Sequence, residues 1–122
     1  MSKNIDNEYV RDNRTILISL ILAAVVAVVY WQVVGHGFTS LDDRLYIMEN
    51  PNVASGLSSG NVAWAFTAFH ASNWHPLTWI SHMIDCQIFG MRPGMHHFVS
   101  MLFHMANSLL LFLVLRRMTG MV

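Results

Sequence analysis

The chain has 122 residues, of which 54% are hydrophobic and 11% charged. Seven basic side chains balance seven acidic ones, and the mean hydropathy is +0.42. This composition excludes a nucleic-acid partner, which would call for a basic surplus, and points to a small membrane protein. A single cysteine, Cys86, excludes any disulfide within the chain.

Residues 1–14 are polar and of mixed charge, and read as a loose cytoplasmic tail. Residues 15–34 (TILISLILAAVVAVVYWQVV) carry no charge and end in Tyr30 and Trp31. At ~1.5 Å per residue this stretch covers the ~30 Å hydrocarbon layer, so it is expected to be a first transmembrane helix. No small-x-small cleavage site follows it, which argues for a retained anchor rather than a signal peptide.

The loop at 35–97 opens with an acidic pair, Asp42-Asp43. After the breakers Asn50-Pro51 and Ser55-Gly56, Ser58 or Ser59 suits the cap of a short helix over 61–69, with Val62, Phe66 and Phe69 on one face. A second helix is expected to start at Pro76, which fits a first helical position, and to stop at Gly90. Leu77, Ile80, Ile84 and Ile88 share one sector of it, and Thr78, Ser81, His82 and Asp85 share the next. The spacing therefore predicts an amphipathic helix lying at the membrane surface or under a larger domain. His82 and Asp85, one turn apart, are expected to pair with each other. Cys86 is expected to be buried and unreactive, and Trp64, Trp74 and Trp79 to be interfacial anchors.

Residues 98–115 form the second expected span, and 116–122 a cytoplasmic end that begins with Arg116-Arg117. His97, Ser100, His104, Asn107 and Ser108 make a polar stripe along the half nearest the loop, whose groups need partners from other helices. Lys3, Arg11, Arg14, Arg116 and Arg117 flank the spans while the loop is net acidic, so both ends are expected inside and the loop outside. The fold class is thus all-α: two antiparallel transmembrane helices joined by an extracytoplasmic loop with two short interfacial helices.

Three groups of residues could carry chemistry. A carboxylate beside an apolar wall can serve as general base, so Asp42 or Asp43 is a candidate, with the other positioning an acceptor or a divalent metal. Histidines on the loop side could ligate haem or a metal, but His97 and His104 lie two helical turns, ~10 Å, apart and cannot share one ion. Hydrogen-bonded interhelical histidines are the simpler reading, and a small subunit binding partner helices through His97, His104 and Asn107 is the non-enzymatic alternative.

Taken together, several motifs resemble a known family. They are Phe38-x-x-Leu41-Asp42-Asp43-x-x-Tyr46, Asn50-Pro51-x-Val53, Trp64-Ala65-Phe66, Asn73-Trp74-His75-Pro76-Leu77-Thr78, Asp85, Phe89-Gly90-x-x-Pro93, His96-His97 and His104-x-x-Asn107. They are similar to the amino-terminal portion of multi-spanning GT-C glycosyltransferases, most of all the membrane O-mannosyltransferases with tetratricopeptide repeats and their bacterial relatives. The resemblance runs over roughly residues 15 to 120. It implies transfer of a sugar, mannose or a similar hexose, from a polyprenyl-phosphate carrier to a protein or glycan acceptor. It also implies that Asp42 and Asp43 belong to the active site, with His75, Arg92, His97, His104 and Asn107 bordering acceptor or carrier. Members of that fold have many more spans, so the chain is expected to be a fragment or subunit acting with further membrane helices. A bacterial plasma membrane is favoured over the endoplasmic reticulum.

Overall fold

The computed structural model describes the backbone of residues 2–120 and side chains from residue 12 onward. It is 78% helical, with no strand among the described residues. In chain order, α1 spans Ser2–Tyr30, a 3-10 segment Trp31–Gly35 and a π-helical turn Arg44–Met48. Then come α2 at Pro51–Ala54, α3 at Ser59–Thr67, α4 at Pro76–Phe89 and α5 at Pro93–Thr119. The expected loose tail is instead the first part of α1, which runs without interruption from Ser2 into the apolar stretch.

Two stretches, Asp12–Gly35 and Pro93–Thr119, are long and apolar enough to cross a membrane. Only 6% of each apolar window is buried against the rest of the protein. A core helix of a water-soluble protein would bury its apolar residues, so a bilayer is the surrounding these helices suit. The second stretch exceeds the expected 98–115 at both ends, starting at Pro93 because that residue fits a first helical turn.

The chain divides into two compact units, one holding residues 2–32 and 100–120, the other 33–99. In the first, the Tyr30 and His104 rings meet edge to face at 4.9 Å, and Arg116 lies 3.5 Å from Asp12. Arg116 and Arg117 in the last turn of α5 also complement the negative end of its dipole.

The second unit has its own core of Ile47, Val53, Ala65, Trp79, Met83 and Cys86, with Phe38, Tyr46, Trp64 and Ile80 packed around it. Local chemistry sets its helices. Asn50 is buried and accepts from the Asn52 and Val53 amides, with Pro51 at the first helical position of α2. Ser58 caps α3 by accepting from the Asn61 amide, so the helix covers Ser59–Thr67 rather than 61–69. Pro76 starts α4, and Gly90, at φ 65°, ends it at the expected place.

The apolar sectors read from the sequence are not the sides that face the core of this unit. Core contact in α4 comes from Trp79, Met83, Asp85 and Cys86, while Leu77 and Ile88 point outward. In α3 it comes from Ala65, leaving Phe66 and Phe69 exposed. Trp79 is the centre of the core rather than an interfacial anchor; Trp64 packs on it and Trp74 is exposed.

Candidate functional site

The acidic pair splits into two environments. Asp42 is exposed, and no side-chain bond to it occurs among the described residues. Asp43 is half-buried and turns back toward Thr39, accepting from its amide at 2.8 Å and its hydroxyl at 3.2 Å. It does not cap the turn that follows. Asp43 is thereby held in place, whereas Asp42 faces outward.

His75 lies immediately before α4. Its ring packs edge-on against Trp79 at 4.3 Å and Tyr46 at 5.2 Å, and its Nε2 is buried without a partner. Asn73 donates to the Tyr46 hydroxyl at 2.7 Å, and Trp74 Nε1 donates to the Phe66 carbonyl at 2.9 Å. Phe66, Trp74, His75, Pro76, Leu77 and Thr78 line an open groove of about 470 Å³. Much of the Asn73-Trp74-His75-Pro76 motif is therefore scaffolding that shapes one apolar concavity.

A second group was not recognised as a unit from sequence. Asp85 and His96 are both buried, and His82 borders them. Asp85 Oδ2 lies 3.7 Å from His96 Nδ1 and 3.9 Å from His82 Nδ1. Thus Asp85 faces two histidines, where only its pairing with His82 was expected. Burial raises the proton affinity of the Asp85 carboxyl, an effect His96 opposes. Burial also pushes His82 below its ordinary value, helped by His96 and His75 and opposed by Asp43. Asp43 and His75 thus act electrostatically on this group. Burial raises the Cys86 thiol, with Asp85 adding to the effect, which fits an unreactive cysteine.

The remaining candidates do not gather here. Arg92 is exposed in the turn between α4 and α5, where its carbonyl accepts from the Met95 and His96 amides. His97 donates from Nε2 to the Gly37 carbonyl at 3.2 Å, and Phe38 packs edge-on against His96 and His97. His104 and Asn107 belong to the other unit and are exposed on α5.

Comparison with protein-family models, curated proteins and solved structures gives no match.

Proposed function

We propose that this chain supplies the first two spans and first outer loop of a GT-C glycosyltransferase that moves a hexose from a polyprenyl-phosphate carrier to a protein or glycan acceptor. In this reading the spans run antiparallel with both ends inside, and further membrane helices complete the carrier site. The observation that carries it is the division of labour in the acidic pair. Asp43 is anchored by Thr39, and the adjacent Asp42 is left open to an acceptor hydroxyl. Asp42 acts as general base, Asp43 sets its position, and the groove lined by Trp74, His75 and Pro76 receives the sugar.

The test is hexose transfer from undecaprenyl-phosphate mannose in membranes holding the chain together with the helices that complete the enzyme. Asp42→Asn should lower transfer by roughly 100-fold or more while leaving the helical content unchanged. Full activity in the double variant Asp42→Asn, Asp43→Asn would end the proposal.

The exposed His104 and Asn107 on a membrane-length helix favour a second reading, a non-enzymatic subunit that binds partner helices. It predicts that His104→Leu and Asn107→Leu abolish co-purification with a partner and that the acidic pair is dispensable for it.

A further inference from the structure

The two histidines and the aspartate of the second unit have a geometry that ordinary hydrogen bonding does not account for. His96 Nε2 donates to the Gly90 carbonyl at 3.2 Å. That bond assigns the ring proton to Nε2 and leaves Nδ1 as a bare lone pair, the arrangement a backbone carbonyl imposes on metal-ligating histidines. His96 Nδ1 lies 3.7 Å from Asp85 Oδ2, and both residues are more than nine-tenths buried. His82 Nδ1 approaches the same oxygen at 3.9 Å, and neither Nδ1 has a hydrogen-bond partner among the described residues.

Both separations exceed direct hydrogen-bond range. A bridging water with legs of ~2.8 Å would have to be bent to roughly 85°, tighter than water prefers. An ion ~2.1 Å from each atom spans the same gaps at angles of roughly 120 to 140°. One ligand atom from each of the three residues lies within 4.8 Å of the others, so small side-chain rotations close the set.

We infer that His82, Asp85 and His96 form a binding site for one divalent transition-metal ion of the zinc class. Two imidazole nitrogens with one carboxylate select such an ion over magnesium or calcium, which prefer oxygen ligands. Three protein ligands leave a fourth position for water or a substrate oxygen. The inference rests on this geometry alone and stands whether or not the chain transfers sugar.

The experiment is a cobalt(II) titration of the full chain, purified in detergent through a tag without histidines and stripped with chelator. The expected result is one saturable equivalent with a visible ligand-field band, displaced by zinc, and histidine nitrogen in the X-ray absorption spectrum. Asp85→Asn and His96→Gln should each weaken binding at least about tenfold, while His97→Gln should not. Absence of saturable uptake by the unaltered chain overturns the site without recourse to variants. Undiminished uptake by a folded Asp85→Asn, His96→Gln double variant also overturns it, as does a bound ion whose spectrum lacks histidine nitrogen.

Discussion

At the residue scale, buried polar groups determine how the loop unit responds to substitution and to pH. Asn50 uses its side-chain oxygen to cap α2 from inside the core, and its Nδ2 has no partner. Asn50→Ala should cost about 1–2 kcal/mol through the lost cap, read as a lower chemical-denaturation midpoint. His82 has a sign that can be worked out. Its folded-state proton affinity lies below the ordinary value, so the unfolded chain takes up the proton first as pH falls. Stability is therefore full above about pH 6.5 and declines below it. The groups facing His82 are Asp43, His75, Asp85 and His96. Asp85 works the other way, because its raised affinity favours the folded state at low pH and the benefit is lost as pH rises through its folded value. Melting temperature against pH for metal-free protein should flatten below about pH 6.5 in His82→Gln. An unchanged slope would show that His82 is as solvated folded as unfolded.

At the element scale, boundaries were more legible than faces. Pro76 and Gly90 bracket α4 because a missing amide and a permitted positive φ act within a few residues. Which side of α4 turns inward was not legible. Beside a bilayer both the core and the outer surface can be apolar, so the Leu77, Ile80, Ile84 and Ile88 sector carried no signal for which side packs on the core. The packed face belongs to Trp79, Met83 and Cys86. Trp79→Ala should therefore cost about 3–5 kcal/mol and abolish cooperative unfolding of the loop unit, followed by near-ultraviolet circular dichroism. The His96 contact was hidden for a different reason. It depends on the reversal between Gly90 and Pro93, which a helical wheel does not represent. The start of α5 packs closely on the 3-10 segment: a Cβ on Gly94 would run into the carbonyl oxygen of Val34. Gly94→Ala should lower the melting temperature, whereas Gly35→Ala, with open space around it, should leave it nearly unchanged.

At the scale of the whole molecule, exposed apolar surface is distributed over both units. Besides the outward faces of α1 and α5, the loop unit leaves Leu41, Phe69 and Leu77 each at least three-quarters exposed. Such side chains are costly in water and suit the headgroup boundary, so this unit is expected to rest against lipid. A polarity-sensitive dye on Leu77→Cys, in a Cys86→Ala background, should shift to the blue in vesicles more than the same dye on Ser59→Cys. Equal spectra would remove the bilayer contact. The two apolar helices were legible from composition because lipid acts on every residue of a long stretch. The site was only partly legible, since Asp43 and His75 follow from motif position while the Asp85 and His96 pairing depends on tertiary folding.

The motifs that gave this chain its family likeness serve mainly as caps and packing: Asn50 and Pro51 begin one helix, His75 and Pro76 another, and Tyr46 rests on Trp79. Asp42 does neither: it is exposed, and no side-chain bond to it occurs among the described residues. If Asp42 is the base proposed above, a descendant of this sequence that had abandoned sugar transfer could lose Asp42 by drift and keep its fold. The fate of that one carboxylate among natural variants would then record selection on reactivity separately from selection on shape.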